Sequence, residues 1–364
     1  MSTPAILVLA GDGIGPEITR AATAALRTLD SVYRLGLEID EMTVGLSSLE
    51  RTGTTLPEDV RQRAFMVDGI ILGPLSTYQY PRPEAGGLNP SAEFRNRLRL
   101  YANIRPSRLR PPVNMTRSMD LVIVRENTEG FYAARSMVAG YGEFMPDQDS
   151  AFALRRITRG ASHRVAATAF ELAQTRRRRV TVVHKANVLK ISDGLFLRSV
   201  EEVAKAYPEV ALEEMLVDAA AAMLVRDPGR FDVVLTTNMF GDILSNEAAE
   251  LSGGLGLAPS LNVGEKVAMA QASHGSAPDI AGRDIANPTG LILSVAMLLE
   301  WLGAGRNSEA LIMAGHALRE AVDDVLADPA LRTADLGGPL GTREFGQAVV
   351  TRIKRSVFAR AESA

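Results

Sequence analysis

The sequence contains no cysteine, an absence that removes disulfides, thiolate nucleophiles and cysteine-ligated zinc or iron–sulfur sites at once. Any metal must be held by carboxylates, amides or histidine, and a hard divalent cation is the default. Lysine is scarce: only Lys185, Lys190, Lys205, Lys266 and Lys354 occur, so nearly all positive charge is arginine. With a formal net charge of -3 and few aromatics to interleave with those arginines, a nucleic-acid interface is not expected. No run of 18 or more apolar residues occurs, and Met1-Ser2-Thr3-Pro4 carries neither a basic segment nor a cleavage site. These absences predict no membrane partner, no secretory signal and, by default, a cytoplasmic protein.

What is present is ordinary globular composition, 46% hydrophobic and 23% charged over 364 residues, which excludes disordered and fibrous classes and suggests about two domains. The apolar run Ala5 to Leu9 reads as a buried strand. A turn, Gly11-Asp12-Gly13-Ile14-Gly15-Pro16-Glu17, and a helix over Glu17 to Leu29 follow. Strand-like runs recur at Gly69 to Leu72, Leu121 to Val124, Val180 to His184 and Val233 to Thr236. Helical patterns lie between them, at Ala166 to Arg176, Gly194 to Ala206 and Ile292 to Leu302. That alternation predicts an α/β fold with a largely parallel sheet. Pro74 to Pro90, Ala133 to Ser150 and Gly253 to Pro259 resist assignment and are candidate active-site loops or inter-subunit arms.

Five constellations bear on chemistry. Gly11-x-Gly13-x-Gly15 follows a strand and precedes a helix, but its third glycine comes one residue early for a dinucleotide fingerprint; a tight packing turn is the plainer reading. Within Phe94 to Pro106, and again at Arg125, arginines flank apolar segments, and three guanidinium forks suit a di- or tricarboxylate; the reading as solvated surface is weakest for Arg105 and Arg125, which directly follow strand-like residues. Arg97, Arg99 and the run Arg176 to Arg179 read instead as solvated surface. Asp218 and Asp242 end apolar runs and offer oxygen ligands to Mg²⁺ or Mn²⁺, with Asn246 one helical turn beyond Asp242; stabilisation of a helix N-terminus is the alternative. In His184-Lys185-Ala186-Asn187-Val188-Leu189-Lys190, Lys185 is either a base whose pKa a nearby cation depresses or a structural ion-pair member. Finally, Ser273-His274-Gly275-Ser276-Ala277-Pro278-Asp279-Ile280, followed by Asn287-Pro288, lets a ligand approach the backbone. An acidic side chain there can bind a ribose diol and repel a 2′-phosphate.

Together these segments resemble the β-decarboxylating dehydrogenases of the isocitrate, 3-isopropylmalate and homoisocitrate group, from about Ile6 to Val349. The resemblance runs in order through the glycine turn, Leu100-Tyr101-Ala102-Asn103-Ile104-Arg105-Pro106, Val124-Arg125-Glu126-Asn127-Thr128-Glu129-Gly130, His184-Lys185-Ala186-Asn187-Val188, Asn238-Met239-Phe240-Gly241-Asp242 and His274-Gly275-Ser276-Ala277-Pro278-Asp279. It implies the isopropylmalate-dehydrogenase-like two-domain α/β fold rather than a Rossmann fold. A large cofactor-binding domain would come from residues 1–105 and 257–364. A small domain, 106–256, would carry the metal site and a dimer arm within Ala133 to Ser150. It also implies a homodimer with shared active sites. By position, Arg95, Arg105 and Arg125 would hold substrate carboxylates, Tyr132 would protonate an enol intermediate, and Lys185 from the partner subunit would assist the hydroxyl proton. Asp218 of the partner subunit would join Asp242 and Asn246 around Mg²⁺ or Mn²⁺. Ser76, Thr77, His274, Gly275, Ser276, Ala277, Asp279, Ile280 and Asn287 would bind the cofactor. Asp279-Ile280 stands where NADP-using relatives carry a Lys-Tyr pair, so NAD is expected.

Departures from the pattern matter too. Asn246 replaces a common second Asp in the metal site, and Gln271 stands where relatives often have Glu in the cofactor loop. Isopropylmalate enzymes place two leucines at the positions of Ser91 and Ala92, which suit a branched alkyl group. Isocitrate enzymes carry Ser and Asn two residues apart, and Asn89 with Ser91 shows that pair reversed. Gly73-Pro74-Leu75-Ser76-Thr77 looks like the isocitrate-type nicotinamide loop, although the segment from Thr77 to Asn89 is about four residues longer. The expected activity is NAD- and metal-dependent oxidative decarboxylation of a 3-substituted malate, with isocitrate first. Homoisocitrate, 3-isopropylmalate and tartrate or D-malate are alternatives. A non-catalytic regulatory subunit is the reading from another class, suggested only by Asn246 and opposed by the presence of both Tyr132 and Lys185.

Overall fold

The computed structural model of the chain describes residues 3–111, 118–132 and 142–362. Its elements in chain order begin with β1 (Ala5–Leu9), α1 (Gly15–Tyr33), β2 (Glu38–Met42), α2 (Leu46–Thr52), α3 (Glu58–Ala64), β3 (Gly69–Leu72), α4 (Pro90–Arg97), β4 (Ala102–Arg108) and β5 (Asp120–Glu126). The middle of the chain forms β6 (Glu143–Asp147), β7 (Ser150–Ala153), α5 (Arg159–Gln174), β8 (Arg179–His184), α6 (Ser192–Ala204), β9 (Ala211–Leu216), α7 (Val217–Arg226), β10 (Val233–Thr236) and α8 (Asn238–Leu251). The remainder is β11 (Pro259–Val263), β12 (Ala268–Ala272), α9 (Thr289–Arg306), α10 (Glu309–Ala327) and α11 (Thr342–Glu362).

Ten strands form one sheet in the order β2-β1-β3-β12-β11-β4-β5-β10-β8-β9. Strands β2, β1, β3 and β12 are mutually parallel, as are β5, β10, β8 and β9; β11 and β4 join the two blocks through antiparallel pairings. The first block takes its strands from both ends of the chain and the second from the middle. Each strand expected from an apolar run is present. The edge strands β2 and β9 carry acidic residues and are only half-buried, so no such run announces them. Residues 133–141 of the proposed arm lie outside the described residues, while Glu143 to Ala153 pair as a separate two-stranded hairpin.

Strand alternation divides the core. Alternate residues such as Ile6, Val8, Ala102, Val122, Val124, Val180, Val182, Ala268 and Ala270 feed one large cluster shared with α1, α5 and α9. The opposite face carries two smaller clusters, one around Leu7, Ile70, Phe94 and Met269, the other around Leu121, Ile123, Phe231 and Leu244. Between those two clusters the same face of the sheet is polar.

Helix α9 is long and apolar enough to cross a membrane by length and composition, yet 72% of that stretch is buried inside the fold. It is the core helix against β11 and β12, apolar all round because it is covered all round. In the arginine run before β8, Arg177, Arg178 and Arg179 are exposed as expected, and only Arg176 departs from the reading as solvated surface. Arg176 is partly buried and bridges Asp232, which is buried, and Asp120, while Arg177 donates to the carbonyls of Phe231 and Asp120.

Leu298 is fully buried on α9 and reaches β3 so closely that a Cβ on Gly69 would meet its methyl groups at 3.1 Å. Leu298→Ala is expected to lower stability by about 2–5 kcal/mol, read as a shift in the urea unfolding midpoint at constant m-value.

Candidate active site

The polar band between the two smaller clusters holds the arginines. On β4, Ala102 and Ile104 face the large core, so Asn103 and Arg105 face the other way. On β5, Ile123 packs in a smaller cluster and Arg125 shares its face. Both guanidiniums are buried, and α8 delivers Asp242 between them: Arg105 Nη1 donates to Asp242 Oδ1 at 3.2 Å, and Arg125 makes a closer bond to the same oxygen. Around them, Arg105 Nε donates to Asn103 Oδ1 at 2.5 Å and its Nη1 to Ser245 Oγ at 2.8 Å. Arg125 donates through Nε and Nη2 to Asn238 Oδ1 at 3.1 and 2.6 Å, so the start of α8 is fixed by the arginine it serves. Burial, and then the charge of Arg125, pushes Arg105 down to about 10; it still carries its charge at neutral pH. Tyr132, partly buried, is close enough to influence that charge.

Asn246 is one turn beyond Asp242 on α8 and exposed, so the two expected oxygen ligands do share a helix face. Asp242 is not in the first turn of α8, which excludes helix-end stabilisation for it. Asp218 is in the first turn of α7 and pairs with Lys185 of its own chain, Nζ to Oδ1 at 2.7 Å. That bond holds the Asp218 carboxyl below its ordinary range. The fully buried Asp193 accepts the Lys185 backbone N–H at 2.6 Å and ion-pairs with Arg155, whose guanidinium is flanked by the Phe131 and Phe240 rings. Lys185 is therefore presented from a rigid mount. Among the described residues no three acidic or histidine side chains meet as a ready metal cage within one chain. The donors available at Asp242 are carboxylate and amide oxygens, the kind Mg²⁺ or Mn²⁺ takes, and they become a fuller set only if a second copy adds Asp218.

Helix α4 stands across the band from these residues. Asn89 is its N-cap, accepting the Ala92 N–H at 3.1 Å, so its carbonyl oxygen is engaged in capping the helix. Ser91 and Arg95, one turn apart, both donate to Gln271 Oε1 on β12, at 3.2 and 3.1 Å. Gln271, expected in the cofactor loop, is instead the link between that loop's strand and α4.

The loops after β1, β3 and β12 meet because three parallel strands end at one edge. The glycine turn is a wedge between the other two. Gly13 has φ +58, and a Cβ there would overlap the Ser276 carbonyl oxygen; Ile14 N donates to that oxygen at 2.9 Å. The buried Asp12 accepts Leu46 N at 2.7 Å, Ser76 N at 2.9 Å and the Tyr80 hydroxyl at 2.5 Å. Ser76 and Ser276, both buried, bond each other through their hydroxyls at 2.8 Å, so these two expected cofactor contacts also clamp their loops together. Thr77, Gly275 and Asp279 are exposed, while Ala277 and Ile280 are partly covered. Burial holds the His274 imidazole below its ordinary pKa, which favours a neutral ring. Asn287 is oriented by Asp335, to which it donates at 3.0 Å, and by the Thr289 N–H it accepts at 3.0 Å. Asp12, Tyr80, Asn238, Ser245 and Asp335 are functional supports that sequence reasoning did not find. Asp12 and Asn238 lay inside quoted motifs, Ser245 between Asp242 and Asn246, and Tyr80 in the candidate loop Pro74 to Pro90; Asp335 lay outside every segment singled out.

The family model for isocitrate/isopropylmalate dehydrogenase matches residues 5–349. The chain belongs to the isocitrate/isopropylmalate dehydrogenase family. It is 42% identical to the isocitrate/homoisocitrate dehydrogenase of Thermus thermophilus over 96% of this chain and 98% of that protein. It is 40% identical to the 3-isopropylmalate dehydrogenase of Methanothermobacter thermautotrophicus, over 97% and 100%. The crystal structure of isocitrate dehydrogenase from Methylococcus capsulatus superposes with a TM-score of 0.84 at 37% identity, covering 96% of this chain and 99% of that one. The chain is accordingly a dehydrogenase of the oxidatively decarboxylating class, and its relatives bear names for several different substrates.

The carboxyl of Glu129, whose carbonyl accepts from Asn238, is raised by burial to about 7 despite bonds from Thr158. The folded state then binds this proton more tightly than the unfolded chain, so stability declines as pH rises from the ordinary carboxyl range through about 7. Glu129→Gln, which has no charge to bury, is expected to flatten that part of a Tm–pH profile.

Proposed function

We propose that this family member oxidises and decarboxylates a malate carrying a polar substituent at C3, isocitrate first, with NAD and Mg²⁺ or Mn²⁺. The observation that carries this reading is the convergence of buried Arg105 and Arg125 on Asp242, with Arg95 on α4 across the same sheet face. Bound together, the three guanidiniums would hold the carboxylates of the substrate by paired N–H donors and fix its C2–H and C3 relative to the cofactor loops. NAD would supply the hydride acceptor, and a divalent ion among Asp242, Asn246 and the partner's Asp218 would stabilise negative charge developing on the substrate.

The chain's own residues then account for the protons. Lys185 of the partner subunit would take the C2 hydroxyl proton as that carbon loses hydride. After CO₂ leaves C3, Tyr132 would protonate C3 of the resulting enol. Asp279, exposed at the loop end, would bind the adenosine ribose diol and repel a 2′-phosphate, which favours NAD over NADP. The polar Asn89 and Ser91, in place of branched apolar side chains, favour a carboxylate-bearing C3 group over an isopropyl group.

A homodimer follows from the same reading, since Asp218 sits with Lys185 rather than with Asp242 in one chain. Large apolar side chains are also exposed on β6 and β7, where Phe144 and Phe152 stack at 5.2 Å, and at Val188 and Ile191. The division into domains at residues 1–105 with 257–364, and 106–256, is proposed with it, and accords with the two clusters on one sheet face.

The test is NADH formation with Mn²⁺ against isocitrate, homoisocitrate, 3-isopropylmalate, D-malate and tartrate, repeated with NADP⁺ and with EDTA. Isocitrate is expected to have the highest kcat/KM, NADP⁺ to be poorer and EDTA to suppress turnover. Lys185→Ala is expected to lower kcat by about 100-fold or more, the scale of a lost general acid–base group. Preference for 3-isopropylmalate would refute the polar-pocket argument, and silence on every acid would favour another malate derivative or a regulatory subunit.

A further inference from the structure

Arg155 joins parts of the chain that serve two different active sites. It lies just beyond the β6–β7 hairpin, where the backbone of Arg156 pairs with that of Gly130, so it stands beside the segment that carries Phe131 and Tyr132. Its Nη1 donates to Ser192 Oγ at 3.0 Å and to Asp193 Oδ1, both at the start of α6, and its Nη2 donates to Thr237 Oγ1 at 3.2 Å. The Phe131 and Phe240 rings, their centres 5.7 and 5.5 Å from the guanidinium carbon, leave it little freedom to turn.

Each of these contacts leads to a group with a proposed role. Asp193 accepts the Lys185 N–H on its other oxygen at 2.6 Å, while the Leu189 carbonyl accepts the Asp193 N–H at 2.9 Å, which closes the Lys185 loop at both ends. Thr237 is the N-cap of α8, yet its hydroxyl caps no backbone group and accepts from Arg155 instead. Asp242 follows on that helix.

Such a pair is a poor device for stability alone. Both side chains are buried, and apolar residues of similar volume would pack there without desolvating two charges. What apolar residues lack is direction: a planar fork with fixed N–H vectors sets α6, α8 and the Phe131 segment against one another. We propose that Arg155 and Asp193 are positioning residues that align, within one chain, Tyr132 and Asp242 of its own site with Lys185, which serves the partner's site, so that a change at the pair is felt at both sites of the dimer. This rests on the shared-site reading above.

The test uses mixed dimers of two differently tagged full-length chains, assayed with isocitrate at saturating NAD⁺ and Mn²⁺. Lys185→Ala in the first chain and Tyr132→Phe in the second leave a single intact site, built from Tyr132 of the first and Lys185 of the second. Both parent homodimers should be nearly inactive, and the mixed dimer should recover up to about half of the wild-type rate. A mixed dimer no more active than its parents overturns the shared-site reading, and this inference with it.

Arg155→Met/Asp193→Leu, which leaves no buried charge unpaired, is then added to either chain. In both placements kcat should fall about tenfold or more, with the KM for NAD⁺ changed less than about threefold, since no bond of the pair leads to the cofactor loops. Arg155→Lys keeps a cation on Asp193 but has one nitrogen in place of the fork. It should recover most of the loss in the chain that supplies Lys185 and little of it in the chain that supplies Tyr132, an asymmetry that a general loss of stability does not produce. A loss confined to one placement, an unchanged kcat in both, or equal recovery by Arg155→Lys in both chains overturns the coupling. Where the Met/Leu chain does not assemble, the asymmetry of Arg155→Lys against the unmodified mixed dimer decides.

Discussion

Two buried guanidiniums facing the same way from adjacent antiparallel strands are the constraint around which this molecule is arranged. Arg105 and Arg125 would repel and desolvate each other without a counter-charge, and an unpaired buried charge costs several kcal/mol. Asp242 supplies the charge, Asn238 and Ser245 take further N–H groups, and all three lie on α8. The position of α8 against the sheet is therefore an electrostatic requirement as much as a packing one. The polar band it covers separates the two smaller cores, so the site lies where hydrophobic packing is interrupted.

A second set of bonds keeps the proposed cofactor loops in register with that band. Asp12 carries Ser76 and Tyr80 from the loop after β3, and Ser76 reaches Ser276 after β12. Glu17, in the first turn of α1, accepts the N–H groups of Gly282 and Asp284 beyond. The glycine turn thus works through close backbone approach, with Gly13 against Ser276, and no pyrophosphate contact is needed to explain its glycines. Through β12 the same loops connect to Gln271 and so to α4. The proposed cofactor and substrate positions are in this way mechanically joined.

Much of this was legible because local signals and tertiary demands agree. The central strands announce themselves as apolar runs, and β1, β3 and β10 begin and end where those runs do. Arg105 and Arg125 stood out from the other arginines because they sit within or directly after apolar segments. The edge strands β2 and β9 were not legible, since a strand with one exposed edge and a half-exposed face needs no apolar run. Nor was the role of Arg176, whose partners Asp120 and Asp232 are 56 residues away. Tyr80 looked like part of an unassigned loop because the carboxylate that holds it is 68 residues distant.

The sequence by itself determined the class of fold, the family and the types of side chain available. Period-two alternation, glycine turns and ordered motifs are local properties that survive without coordinates. Only the tertiary structure decided which of those side chains meet. Asp242 is shared by two arginines because β4 and β5 run antiparallel, and Asp218 is kept with Lys185 because α7 begins directly after β9, the strand beside β8. Hydrogen bonds between strands distant in the chain depend on register and strand order, and neither is written in the neighbours of any single residue.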